Sequence, residues 1–176
     1  MKKVLLTVLA VLGFVLAANA ANSGSFTISV NTPATIAIAL RNAGDSSDYT
    51  AWAAGEVALG GNTTMATAQA VLVKNTSNVS ICLTALATTP GGIWSVGSTA
   101  ATNVISIGLY QNNALSSLLT ALPATTLSTS DVTIASYIAV GANKYIGAVL
   151  NLPTFSSTGN TQYISVTITA LIEPAS

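Results

Sequence analysis

The stretch YISVTITALI, residues 163–172, is central to the fold because apolar and polar side chains alternate along it. One parity is wholly apolar and consists of Ile164, Val166, Ile168, Ala170 and Ile172. The other parity carries Tyr163, Ser165, Thr167, Thr169 and Leu171. This period of two predicts a half-buried β-strand. The strand pairs either with its own domain or with a neighbouring subunit, and both alternatives are open at this point.

Short strands of the same kind are predicted along most of the chain after residue 24. The clearest are TIAIAL (35–40), VLVKN (71–75), VSICLTAL (79–86), NVISIGLYQN (103–112), VTIASYIAV (132–140) and KYIGAVLNLP (144–153). The segment WAAGEVALGGNTT (52–64) predicts one short strand that ends in a turn at Gly60-Gly61-Asn62. Many short strands without regular strand–helix alternation predict an all-β fold. The favoured form is an antiparallel two-sheet β-sandwich, jelly-roll or Ig-like, and the alternative is a closed barrel.

One segment departs from the strand pattern. In NNALSSLLTALP (112–123), four leucines recur at the spacing i, i+3, i+4 and i+7, namely Leu115, Leu118, Leu119 and Leu122. This spacing predicts one short helix near residues 113–122, which an asparagine begins and Pro123 ends. We expect it to cover one end of the core.

The first 20 residues have the layout of a secretory signal peptide. Two lysines precede an apolar run, and Ala18-Asn19-Ala20 supplies the cleavage site. The alternative, a membrane anchor, is disfavoured because the run is short for a bilayer and no positive cluster follows it. We therefore expect residues 1–20 to be cleaved, residues 21–31 to form an N-terminal strand, and residues 32–176 to form the β-sandwich domain. The protein is then secreted, extracellular or on the cell surface, with no membrane span after cleavage.

Charged residues make up only 6% of the chain, against about 25% in an ordinary globular protein. After cleavage, three basic residues remain, which excludes a phosphate-binding surface and therefore nucleic acid as a partner. Interspersed charge normally keeps soluble proteins apart. A surface so poor in charge favours a protein whose copies cover one another in a filament, sheet or shell. A monomer with a hydroxyl-rich, glycosylated surface is the alternative.

Catalytic and metal-binding patterns are absent from the sequence. There is no histidine, which removes Ser-His-Asp and Cys-His systems and the commonest metal ligand. The five acidic residues suggest no carboxylate pair, and the GDSSD segment (44–48) is interpreted as a solvated turn rather than a calcium site. The single thiol, Cys82, is either buried and inert or paired between subunits. We expect no enzymatic activity, no metal and no cofactor.

Two further patterns concern partners. Three Asn-x-Ser/Thr sequons begin at Asn62, Asn75 and Asn78, so glycans are possible partners. The segment SFTISV (25–30) alternates Phe26, Ile28 and Val30 with polar residues and carries no charge. Such a segment can complete the sheet of a neighbouring subunit by strand donation. The alternative is that it is an ordinary central strand of its own domain.

Several segments together resemble small secreted prokaryotic β-sandwich fibre subunits of the TasA or archaeal bundling-pilus kind. They are FTISVNTPATIAIAL, WAAGEVALGGNTT, VLVKNTSNVSICLTA, PGGIWSVG and QYISVTITA. The resemblance spans most of the mature chain, in spacing rather than in diagnostic residues. It implies a jelly-roll-like domain that polymerises by passing an N-terminal strand, here Ser25–Val30, to the next subunit.

Two functional hypotheses follow from these observations. The leading one is a non-enzymatic structural protein, a homopolymer subunit of a pilus-like or biofilm-matrix filament or of a surface layer, assembled by β-strand donation. The alternative is a monomeric extracellular adhesin or carbohydrate-binding module. Its candidate stacking platforms for sugars are Trp52, Trp94, Tyr110 and Tyr137.

Overall fold

The computed structural model describes residues 29–30, 33–120 and 125–173. Within these ranges the chain is mostly β, and the compact unit that begins at Ala34 holds ten strands. They are β1 (Ile38–Asn42), β2 (Asn62–Thr64), β3 (Val71–Asn75), β4 (Ile81–Thr88), β5 (Ser95–Val96), β6 (Val104–Asn112), β7 (Thr125–Thr126), β8 (Val132–Ile138), β9 (Asn143–Asn151) and β10 (Ser165–Ile172).

The larger sheet has the strand order β1-β3-β9-β6-β5, with β2 paired to β9 and β7 paired to β6. All pairings are antiparallel except the short one between β5 and β6, which is parallel. In β6 the predicted apolar parity, Ile105, Ile107 and Leu109, is buried, and Ser106 and Gly108 on the other parity are buried as well. The central pair β6–β9 therefore presents a continuous apolar face.

The smaller sheet has the order β10-β4-β8 and is antiparallel. The closing strand predicted from YISVTITALI forms as β10 and pairs with β4 of its own domain over eight residues. One side of β10 is therefore paired within its own domain, which was one of the two alternatives for this strand.

A single cluster of buried side chains draws on both sheets. The larger sheet contributes residues such as Val73 and Ile107, and the smaller sheet contributes Ile81, Leu83 and Ile134. The all-β antiparallel prediction is therefore confirmed. Neither sheet closes on itself, so the closed-barrel alternative is wrong.

Two local predictions need correction. The helix expected near residues 113–122 is a six-residue 3₁₀ helix, Leu115–Thr120, whose Leu118 is fully buried. Serines 116 and 117 are weak α-helix formers, which is consistent with a short, tight turn of helix. The strand expected within residues 52–59 does not form. The glycine turn after it does form, and in it the Gly61 amide donates to the Ala58 carbonyl at 3.0 Å. The chain enters β2 only after that turn.

Candidate functional site: an apolar groove beside the last strand

The last strand, β10, is an edge of the smaller sheet. Its register with β4 runs without a break from Ser165 opposite Thr88 to Ile172 opposite Ile81. No other strand of the described chain pairs with the second side of β10. The backbone N–H and C=O groups on the free side of an edge strand are a template for pairing with another segment.

The core-facing side chains of β10 are incompletely covered. Val166 lies opposite Ala87 and Ile172 lies opposite Ile81, and both of these β4 residues are 0% exposed. Val166 itself is 39% exposed and Ile172 is 51% exposed. Because the two strands present the same face, this difference shows that β10 lacks the apolar cover that β4 has.

An open apolar groove of about 1220 Å³ lies beside the uncovered face of β10. Its lining includes core-facing residues of the larger sheet, namely Leu40, Val71, Ile105, Ile107, Leu109, Ile146, Ala148 and Leu150. On β10 and its approach, Ile164, Val166 and Ile168 line the groove. Among the described residues that line the groove, Glu56 is the one that carries a charge. Several uncharged polar residues also line it, among them Thr158, Asn160 and Gln162.

Residues 50–59, which we call the strap, form a further wall, and residues 158–163, which lead into β10, line the groove as well. Trp52, Ala54 and Val57 of the strap are half-buried and pack against the core cluster. The strap is anchored at its ends, where the Tyr49 amide donates to the Leu40 carbonyl at 3.0 Å and the Gly60 amide donates to the Pro153 carbonyl at 2.8 Å. The groove therefore lies between a regular strand edge and an irregular segment of the same chain.

Tyr49, at the start of the strap, carries an unsatisfied polar atom. Its hydroxyl is buried and has no hydrogen-bond partner among the described residues. Burial raises the pKa of the Tyr49 phenol above its ordinary value of 10.0. A buried hydroxyl without a partner costs free energy. An occupant of the groove that brought a hydrogen-bond acceptor to this hydroxyl would remove that cost.

The charged residues near the strap neutralise one another. Arg41 contacts Asp45 at 3.1 Å and also contacts Asp48, while the Lys74 ammonium lies 2.6 Å from Asp45. The bond from Lys74 is the main reason that the pKa of Asp45 is lowered, and Arg41 lowers it further. Both carboxylates of GDSSD are thus engaged by cations, and no group of three metal-binding side chains occurs within residues 29–30, 33–120 and 125–173.

The proposed donor residues are only partly described. Phe26 and Ile28 lie outside the described residues, whereas Val30 is described and is 81% exposed. Strand donation therefore remains a prediction. What sequence reasoning missed is the groove between β10 and the strap. Its one visible signal in the sequence was the absence of charge from YISVTITALI.

The three sequon asparagines have different environments. Asn62 is exposed at the start of β2. Asn75 is 2% exposed, and its Nδ2 donates to the carbonyls of Val79, Ile138 and Ala139 at 2.9–3.0 Å. A glycan attached to Nδ2 of Asn75 is incompatible with these contacts, so this asparagine joins two turns instead. Asn78 is exposed, and its Oδ1 accepts a hydrogen bond from the Thr35 amide at 2.7 Å.

The aromatic residues considered as sugar platforms do not form one surface. Trp52 and Trp94 both line the groove and are half-buried, and Trp94 donates its indole N–H to Ser156 Oγ at 2.9 Å. Tyr110 on β6 and Tyr137 on β8 are not among the residues that line it. Cys82 is half-buried on β4 and is a free thiol.

Comparisons with known proteins do not assign this chain. No protein-family model, curated protein or solved structure matches it. Within the described residues, no helix has the length and apolar character needed to cross a bilayer.

Proposed function

We propose that this protein is a secreted structural subunit that assembles into an extracellular filament or surface layer by β-strand donation between copies. It has no enzymatic role in this proposal. The signal-peptide pattern, the low charge and the absence of histidine support the proposal. So does the resemblance in spacing to fibre subunits of the TasA and archaeal bundling-pilus kind.

One observation carries the proposal. An apolar groove of about 1220 Å³ runs beside the free edge of β10, whose core-facing residue Val166 lines the groove and is 39% exposed. An added strand would pair the free backbone of β10 and cover the apolar groove at the same time. Its backbone would bond to the edge while alternate side chains enter the groove.

The finer fold that we propose is a two-sheet sandwich, jelly-roll or Ig-like, that is completed by the donated strand. Two observations support this arrangement: one core cluster contains buried residues of both sheets, and residues of the larger sheet line the groove beside β10. A strand added beside β10 would widen the smaller sheet there. It would cover the apolar side chains that now line the groove.

We propose residues 25–30 of a second copy as the occupant. Phe26, Ile28 and Val30 share one parity, so all three side chains can enter the apolar groove while Thr27 and Ser29 face outward. At about 3.3 Å per residue the segment spans about 20 Å, within the roughly 26 Å of the eight-residue β10. Burying three such side chains stabilises the contact by about 1.5–3 kcal/mol each. The contact is head-to-tail and builds a filament when its rotation does not close.

Negative-stain microscopy tests this proposal with matched variants of the mature chain, residues 21–176. The unaltered chain is expected to form regular fibres. A chain with Phe26→Ser, Ile28→Ser and Val30→Ser is expected to remain monomeric, whereas Thr27→Ala with Ser29→Ala, on the outward parity, is expected to assemble. A folded monomer from all three chains would reject the filament proposal. Glycan binding by that monomer would favour the alternative of a carbohydrate-binding module or adhesin.

A further inference from the structure

Within residues 33–120 of the described chain, the strap is a segment for which the sequence predicts a strand and the structure shows none. The side chains of Trp52 and Ala54 pack on the core and that of Ala53 between them is exposed, which is the alternation of a β-strand. The alternation slips once, at the adjacent exposed residues Gly55 and Glu56, and then returns inward at Val57. The side-chain pattern of the strap is therefore nearly that of a β-strand on the core.

The backbone of the strap lacks the pairing that defines a strand. No amide from Thr50 to Leu59 donates to another described residue, although the flanking amides of Tyr49 and Gly60 both do. Unpaired backbone groups are tolerated while water reaches them, but they require partners when an occupant excludes that water. A segment that fills the groove would therefore meet free backbone groups on the strap as well as on β10.

We infer that the strap is a second hydrogen-bonding wall of the groove and becomes a β-strand when the N-terminal segment of another copy docks. This inference rests on the proposed function. The docked segment then lies between β10 and the strap as a central strand of the smaller sheet. An occupant of this position has to be extended. It also has to be free of proline and uncharged on its core-facing parity, and the sequence of residues 25–30 contains neither proline nor charge.

Gly55 is where the strap has to change conformation. Its φ is +75°, in the left-handed region, whereas a residue in a regular strand has φ near −120° to −140°. Glycine makes both conformations accessible without steric cost. A Cβ added at Gly55 meets no atom within 4 Å, so a substitution there tests the backbone conformation rather than the space.

Hydrogen exchange of the full mature chain tests the inference directly. The acceptor is the chain with Phe26→Ser, Ile28→Ser and Val30→Ser, which keeps its length but cannot donate. The probe is a synthetic peptide of residues 21–31, and the control is the same peptide with the three serine substitutions. We expect the unaltered peptide to slow exchange in both β10 and the strap, and the control peptide to slow neither.

The outcomes separate the inference from the proposed function. Protection of β10 without protection of the strap overturns the inference and leaves strand donation standing. Absence of peptide binding overturns both. Protection of the strap without β10 also overturns the inference, because the occupant would not lie between two paired walls.

A pair of glycine variants gives a second readout in the same acceptor. Alanine at a left-handed position is strained, so Gly55→Ala should disfavour the free strap and, if the strap extends on docking, tighten peptide binding about five- to thirtyfold. Gly141→Ala is the control, because Gly141 has φ +73° and equally open space but lies in the turn between β8 and β9. We expect it to lower stability without changing affinity. Unchanged affinity in Gly55→Ala would overturn the inference.

Discussion

The two outer strands of the smaller sheet, β8 and β10, have different edges. β10 pairs with β4 in an unbroken register over eight residues. β8 pairs with the same strand through an irregularity of two adjacent register shifts. The steps from Ile81 to Leu83 and from Leu83 to Thr84 on β4 match a three-residue and a two-residue step on β8. Tyr137, within this irregularity, has φ +46°, and its amide donates to the Glu173 carboxylate at 2.9 Å. β8 therefore carries a bulge, and β10 does not.

This difference bears on how copies of the chain can meet. Bulges at an edge twist it away and discourage pairing, whereas a long regular edge without charge invites pairing. A subunit with one open edge and one bulged edge can accept a strand at the first without adding strands at the second. Under the proposed strand donation, the smaller sheet would then be extended only at β10. The comparison predicts that substitutions on β10 affect assembly, whereas substitutions on β8 affect the stability of the monomer.

The largest expected effect is from a lysine on the open edge. Val166→Lys places a charge on the core-facing parity of β10, where the free monomer tolerates it because the site is already 39% exposed. A docked strand would bury that charge and lose the apolar contact of the valine. We expect the concentration needed for assembly, measured by sedimentation, to rise at least about a hundredfold.

Tyr137→Lys on β8 is the matched control, since Tyr137 is 70% exposed on the opposite edge of the same sheet. We expect it to assemble at the same concentration as the unaltered chain. Equal loss of assembly in the two variants would mean that assembly does not depend on which of the two edges carries the lysine. Thermal unfolding of both monomers checks that neither substitution acts by unfolding the domain.

An intermediate effect is expected at the bulge. Tyr137→Val puts a β-branched residue at a positive φ, and Tyr137→Gly puts the residue best suited to it. We expect the valine variant to be less stable than the glycine variant by about 1–2 kcal/mol in urea unfolding. At Thr133, an exposed residue of β8 without positive φ, we expect valine to be more stable than glycine. The same order at both positions would contradict the role of the bulge.

The period-two pattern predicted most of the strands because burial of one face is encoded locally. The closing strand, β10, forms where Ile164, Val166 and Ile168 alternate with polar residues. The groove was not predicted, because it depends on which strands become neighbours. The strap shows the same limit, since the pattern of Trp52 and Ala54 favours a strand but strand formation requires a paired partner. Likewise the Asn75 sequon gave no sign that its amide is buried among three carbonyls.

The smallest expected effect concerns Tyr49, which lies beside the open groove. Its phenol has a pKa above 10 in the folded chain, so the unfolded chain ionises first and the folded state loses stability as pH rises through and beyond 10. Tyr49→Phe removes this loss and also removes the buried hydroxyl that has no partner in the free monomer. We expect the variant monomer to be at least as stable at neutral pH and to lose less stability between pH 9 and pH 11. Urea unfolding across this range measures the difference, with Tyr137→Phe on β8 as control. If Tyr49→Phe and the unaltered chain lost stability equally, the Tyr49 hydroxyl would not be a buried group beside the groove.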